Sequence, residues 1–394
     1  MPNPSEVAAM IVYVTAQGSQ VVREGRHLLV RQEETVYHTL FIHKLEQLVL
    51  CGNVTLTPGA LNLLLRENVD TVFLRLDGRY KGRLALDEQK NVFLRRRQFQ
   101  LVDDIAFCMG TAGRIVQGKL LNMVTVLQRI KRTRSSSGAE AAVQGVRKIL
   151  ARLPEVEGLD VLRGMEGQAS ACYFAGLRHG LDEDFGFRKR VRRPPTDPVN
   201  SVLSLLYTFL INRMYAAVRL AGLDPYPGVL HALDYGRQAL PLDLVEEFRA
   251  PLADTVALAL FNLRALKKED FYVLQPPEPL LPQQPETDLD AVAHDPLGQR
   301  TELEDDEELF DMPDQQLEPP IDEIEGRKGK GAVRLVPAAF KKVINAFEKK
   351  MQTEFFHPGA QRRMSYADAL VFQARQYRRL VEGEAGEYHP LLFK

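Results

Sequence analysis

The stretch FQLVDDIAFCMGTAGRIVQGKLLNMVTVLQRIKR, residues 99–132, is where the reading of the fold turns. From about Arg96 onward, apolar residues recur at helical spacing; before it the chain is written in short β-branched runs. Working back, MIVYV (10–14), QVVRE (20–24), HLLVRQ (27–32), VYHTLFI (36–42), KLEQLVLCG (44–52) and TVFLRLDG (71–78) read as strands, divided by turn signals such as AQGS and EGR. One helix interrupts them: TPGALNLLLREN (57–68), with Thr57 placed as N-cap and Pro58 at the first helical position. Small sheets must cover an apolar face, so residues 1–95 read as an N-terminal β-sandwich domain.

Working forward, SSSG (135–138) stops the first helical run. GAEAAVQGVRKILARL (138–153) and LDVLRGMEGQASACYFAGLRHG (159–180) follow as helices. VNSVLSLLYTFLINRMYAAVRLAG (199–222) is almost wholly apolar and predicts a central, buried helix. PLDLVEEFRAPLADTVALALFNLRAL (241–266) predicts one helix, or a pair divided at Pro251. Helical pattern resumes in PAAFKKVINAFEKKMQTEFF (337–356) and SYADALVFQARQYRRLVEGE (365–384). The expected class is α+β, a β-sandwich followed by an all-α domain over 96–394, with no internal repeat.

Between the helical runs lies a different kind of sequence. Residues 276–325 contain seventeen Asp and Glu against one basic residue, Arg300. The formal charge of −1 therefore conceals a segment at −16 and a remainder near +15. Nine prolines fall between 276 and 320, so the acidic, Pro-rich insertion 275–331 is expected to be disordered. A basic body favours polyanions through counterion release. The cysteines Cys51, Cys108 and Cys172 form no CxxC pair, which argues against a zinc knuckle or disulfide framework and fits a reducing compartment. With no N-terminal signal pattern and no apolar run of membrane-spanning length, a soluble cytoplasmic protein without a membrane partner is expected.

Three places carry chemistry. His231 stands in HALDYGRQALPLDLVEEF (231–248), with Asp243 and Glu246 on one helical face at i, i+3. Glu166 sits in LRGMEGQASACYF (162–174) among Gly164, Gly167, Ala169 and Ser170, which leave room for a backbone or a phosphate. A carboxylate in so crowded a stretch must be paired or coordinate a cation. Each residue alone has a plainer reading: Glu166 salt-bridged to Arg163, His231 a capping or core histidine, Asp243 and Glu246 the acidic side of an amphipathic helix. Taken together, two glutamates and an imidazole suit Mg²⁺ or Mn²⁺, leaving coordination positions for phosphate and water. No P-loop or nucleophile elbow offers a competing mechanism.

The third place is the cationic run in FRKRVRRPPTDPVN (187–200): Arg188, Lys189, Arg190, Arg192 and Arg193, stiffened by the prolines that follow. It is a candidate DNA-backbone loop, and a solvated basic loop is its plainer reading. Lys119, Arg129, Lys131 and Arg132 are further candidates, which an ordinary cationic helix surface would also explain.

These stretches, with GNVTLTPGALNLL (52–64), FRKRVRRPPTDPVNSVLSLLYTFL (187–210) and SYADALVFQARQYRRLV (365–381), resemble the CRISPR-associated endonuclease-integrases that insert new spacers, the first of the numbered Cas proteins. The resemblance implies a homodimer joined through the β-sandwich domain and a catalytic metal site. Its glutamate, histidine and second acidic residue fall on Glu166, His231 and Glu246. Asp243 matches a nearby acidic position that assists or contacts DNA. It also implies attack of a prespacer 3′-OH on the leader–repeat phosphodiester of a CRISPR array, double-stranded and branched DNA as substrates, and a small ferredoxin-like partner, the second numbered Cas protein. The acidic insertion departs from the family pattern. Two other readings stand beside it: a non-catalytic DNA-binding scaffold that keeps the basic surface but not a working metal site, and a metal-dependent DNA nuclease outside CRISPR immunity, which shares the residues and differs by product.

Overall fold

The computed structural model describes residues 10–33, 35–75, 78–84, 91–192, 194–274 and 331–393. The greater part of the insertion expected to be disordered, residues 275–330, lies outside them.

The strand-rich region forms two four-stranded sheets. One is ordered β1 (Met10–Val14), β5 (Leu45–Cys51), β7 (Asp70–Leu74), β8 (Tyr80–Arg83). The other is ordered β4 (Thr35–Phe41), β3 (His27–Gln32), β2 (Ser19–Glu24), β6 (Val54–Leu56). Helix α1 (Pro58–Arg66) follows β6, and the Thr57 hydroxyl accepts the Ala60 N–H as its cap. Leu48 and Leu50 of β5 meet Val21, Leu28 and Val30 of the second sheet and Leu63 of α1 in one core.

Alternation along β5 then does something further. Val49 and Cys51, pointing the other way, belong to the core of the helical region, as do Val72 and Leu74 of β7. The first sheet is thus covered on both faces, which suits its parallel β1–β5 and β5–β7 pairs. Tyr13 of β1 also donates to Glu348, 2.8 Å away, and Glu348 in turn receives Arg213 at 2.7 Å.

The helical region begins with α2 (Val92–Val102) and breaks at Asp103 and Asp104. Asp104 caps α3 (Ile105–Arg134) by accepting the Ala106 and Phe107 N–H groups. Next come α4 (Ser137–Arg152), α5 (Leu159–Leu177) and α6 (Pro198–Leu220), the last capped by Asp197. Contrary to the expectation that the chain lacks one, α6 is long and apolar enough to cross a bilayer. Here it is the buried central helix, and its Asn200, Asn212 and Arg213 are buried and bonded to protein.

The run 241–266 is a helix pair divided at Pro251: α7 (Ala239–Phe248), a π-helical turn Arg249–Asp254, and α8 (Thr255–Asn262). Proline lacks the N–H that an α-helical ladder needs there, and the wider turn absorbs the mismatch.

The region is mostly rather than wholly helical. Strands β9 (Phe271–Leu274) and β10 (Ala332–Leu335) pair antiparallel, bringing the two ends of the insertion together. After α9 (Pro337–Met351), the residues expected to continue it form β11 (Glu354–His357), paired with β12 (Arg362–Ser365). The hairpin forms because His357 and Pro358 start a turn in which the His357 ring accepts the Ala360 N–H at 3.1 Å. Helix α10 (Tyr366–Glu382) closes the described elements, capped by Ser365 and ended by Gly383 in the left-handed region.

Candidate active site

Helices α3, α5 and α7 converge on one buried cluster. Glu246 of α7 is 1% exposed and Glu166 of α5 is 8% exposed. Between them stands Lys119 of α3, 3% exposed, its ammonium bonded to Glu166 Oε1 and 2.6 Å from Glu246 Oε2. Arg249, in the π-turn, places Nη1 3.0 Å from Glu246 Oε1. Ser170, one helical turn after Glu166, donates to the same Oε1 at 3.1 Å. Arg163, the plainer partner for Glu166, instead bonds Asp160 and the Leu230 carbonyl at 2.7 Å each. It thereby ties α5 to the loop that carries His231.

That loop is held by Asp243, whose carboxylate is fully buried and accepts three successive backbone N–H groups: Val229 at 2.6 Å, Leu230 at 3.0 Å and His231 at 2.9 Å. The His231 Nδ1 lies 2.6 Å from Asp243 Oδ1. In this pairing Nδ1 donates to the Asp243 carboxylate, and Nε2 stands 4.0 Å from Glu246 Oε1. Gly228 makes the approach possible, since a Cβ there would stand 2.6 Å from Asp243 Oδ2 and 2.8 Å from the Ala239 backbone. Asp243 is therefore an orienting residue and has no exposed face to offer DNA.

Two buried carboxylates flank this cluster. Glu247, beside Glu246, accepts from Gln373, from the Tyr388 hydroxyl and from the Leu391 N–H. Burial pushes it up to about 7. Asn122, three residues after Lys119, donates to the Glu247 and Leu391 carbonyls, so segment 388–393 braces α3 against α7 behind the site. Asp254 accepts from Tyr173 and Tyr207 at 2.8 and 2.7 Å, and burial raises it to about 6. The guanidinium groups of Arg190 and Arg249 both lie over the Tyr207 ring, 5.3 and 5.2 Å from its centroid.

Not all of the cations nominated for DNA face outward. Lys119 is internal, because the apolar stripe Ile115, Val116, Leu120 and Met123 turns its side of α3 into the core. Arg190 turns inward to Asn200 and Ser204, and burial lowers it to about 10. Arg188 is exposed and forms two bonds to Asp184; Lys189 is exposed; Arg192 is half-buried; Arg193 lies outside the described residues. Arg129, Lys131 and Arg132 are exposed on α3.

Among the described residues, no three His, Cys, Asp or Glu side chains converge into a ready metal cage. The donor types nonetheless suit a hard divalent ion, with two carboxylates and an oriented imidazole. A positive charge, the Lys119 ammonium, already stands between the two carboxylates. Sequence reasoning missed Lys119 and Arg249 as members of the site. The available signal was a lone lysine on the apolar face of a long helix.

The same architecture, a two-sheet region joined to a helical region, recurs in solved structures. Casposase bound to integration product shares this fold at a TM-score of 0.74, with 16% identity over 98% of this chain and 94% of that one. So does a CAS1 protein from Thermotoga maritima, at a TM-score of 0.72, with 18% identity over 96% and 98%. The family model "CRISPR associated protein Cas1" matches residues 12–280. A CRISPR-associated endonuclease Cas1 of Thermus thermophilus is 31% identical over 96% of both chains. One from Moorella thermoacetica is 31% identical over 90% of this chain and 89% of its own. The chain belongs to the Cas1 family.

Proposed function

We propose that this protein is a metal-dependent DNA endonuclease and integrase that inserts spacers into a CRISPR array, by attack of a prespacer 3′-OH on the leader–repeat phosphodiester. The observation that carries this reading is the cation held between Glu166 and Glu246, with the His231 ring presented to the same carboxylate. Glu166, Glu246 and the Nε2 of His231 would hold Mg²⁺ or Mn²⁺, which when bound supplies charge stabilisation for the attacking and leaving oxygens. Asp243 keeps the imidazole in the ligating tautomer. Burial of the cluster strengthens every charge interaction within it. Arg188, Lys189 and the exposed cations of α3 are proposed as backbone contacts for double-stranded and branched DNA.

Family membership and the endonuclease names of the relatives support nuclease chemistry. Integration, the homodimer joined through the N-terminal sheets, the second numbered Cas protein as partner and a cytoplasmic location rest on the family resemblance. A solved structure titled Cas6-RT-Cas1–Cas2 complex shares the fold, at a TM-score of 0.75 with 21% identity; this chain spans about a third of it, 36%.

Branched DNA with Mn²⁺ tests the proposal. Cleavage and strand transfer are expected from the native protein, and Glu166→Ala, His231→Ala and Glu246→Ala should each remove both while DNA binding measured in EDTA persists. Undiminished activity in all three variants would refute the site. Binding without any turnover in the native protein would favour a scaffold.

A further inference from the structure

We propose that Lys119 is a positioning residue whose ammonium holds the place of the divalent ion between Glu166 and Glu246 until a DNA phosphate draws it out. The inference rests on the metal-site reading above and adds a residue and a coupling that the reading does not contain.

The charge count of the cluster is the starting point. Glu166 and Glu246 contribute two negative charges, and Lys119 and Arg249 neutralise them within bonding distance. Lys119 is 3% exposed, and its ammonium reaches one oxygen of each glutamate. Buried carboxylates repel one another and demand a counter-ion, so a neutral quartet lets the protein fold without metal.

The same geometry obstructs metal loading. A divalent ion of this kind takes carboxylate oxygens at about 2.1 Å. The ammonium already holds one oxygen from each of the two carboxylates that such an ion would use. An ammonium left beside a divalent ion in a buried site is strongly repelled. Lys119 must therefore withdraw, and it needs a new anionic partner to do so at low cost.

A phosphodiester at the site supplies that partner. Lys119 has a flexible four-carbon stem, so its head can move while its stem remains in the helix packing. The consequence is thermodynamic coupling: DNA tightens metal binding and metal tightens DNA binding, by the same factor. A site loaded only when backbone phosphate is present is protected from idle hydrolysis.

The measurement is Mn²⁺ binding by calorimetry to EDTA-treated protein, with and without a short DNA duplex. Native protein should bind Mn²⁺ more tightly with DNA, by about tenfold or more. Lys119→Met should bind Mn²⁺ at least about tenfold tighter than native protein without DNA, with a smaller DNA effect than in native protein, because a competing unit charge is gone. Its melting temperature in EDTA should fall, and Mn²⁺ should restore it. Equal or weaker Mn²⁺ affinity in Lys119→Met overturns the proposal. Should that variant not fold, Lys119→Arg keeps the charge in a bulkier head and is expected to weaken Mn²⁺ binding; unchanged or tighter binding overturns the proposal. Glu166→Ala separates the two readings. Native-like Mn²⁺ affinity in that variant refutes the metal site itself. Lost affinity there, with no tightening in Lys119→Met, refutes only the placeholder.

Discussion

Asp243 Oδ1 meets both the backbone N–H of His231, at 2.9 Å, and its ring Nδ1, at 2.6 Å. One oxygen thus fixes where the histidine sits and which nitrogen it presents. Partners of this kind typically cost about 10–100-fold in metal affinity or activity when replaced. Asp243→Asn, which can donate to Nδ1 and so favour the opposite tautomer, is expected to lower Mn²⁺-dependent cleavage by that order with metal-free DNA affinity preserved. Asp243→Ala also strands three buried N–H groups and should destabilise the fold by on the order of 3 kcal/mol. Activity of Asp243→Asn within about threefold of native would remove Asp243 from the orienting role.

Gly228 packs where a side chain does not fit. The added methyl in Gly228→Ala would press on Asp243 Oδ2 and on the Ala239 backbone. Neither can retreat, since the carboxylate holds three amides and Ala239 opens α7. A loss of about 1–3 kcal/mol is expected in denaturant unfolding, together with weakened Mn²⁺ binding. A variant with native stability would mean that the 228–231 loop is more compliant than its hydrogen bonds imply.

Asp254 gives the molecule a pH-dependent component of stability. Tyr173 and Tyr207 bond it, Arg190 and Arg249 lie nearby, and burial outweighs them in raising it from 3.8 to about 6. A carboxyl whose folded value is raised stabilises the fold fully below its unfolded value and loses that contribution as pH rises through the folded one. The stability of native protein relative to Asp254→Asn should therefore fall between about pH 3.8 and about 6 and level off above, by on the order of 3 kcal/mol. Glu247 is also raised, but it is present in both proteins and cancels in the difference. A pH-independent difference between the two unfolding curves would show that burial does not raise Asp254 above its unfolded value.

Leu274 and Ala332 face each other across the β9–β10 ladder, so the insertion between them begins and ends at one place. Removing residues 276–325 leaves a seven-residue connection, Gln275 and GRKGKG (326–331), to close the ladder. It also removes the −16 segment from a basic body. If the acidic stretch competes with DNA for that surface, the deletion protein should bind DNA on the order of tenfold tighter at low salt, with a steeper salt dependence. The melting temperature should stay near the native value. Unchanged affinity and salt slope would eliminate self-competition.

The local signals were legible because their physics is local. Thr57 and Pro58 start α1, with a cap formed by residues three apart. The switch near Arg96 from β-branched runs to helical spacing separates sheets from helices for the same reason. Helical continuation past Met351 was not reliable, since a turn built on His357 redirects the chain into a hairpin. Glu166, His231 and Glu246 stand out in their motifs, while Lys119 reads in sequence as a DNA-facing surface cation. A lysine in a long helix faces DNA or the core according to how that helix packs, and its partner Glu166 is 47 residues away.

Sequence by itself determined the α+β class, the capped helices, the charge asymmetry and the acid and imidazole residues worth watching. Tertiary structure decided which of them meet. It turned Lys119 and Arg190 inward, made Asp243 the holder of His231, and buried the first sheet on both faces. Burial is the physical reason for the division. Propensity and capping act between neighbours in the chain, whereas two buried carboxylates choose their counter-charge from whatever the packed helices bring within reach.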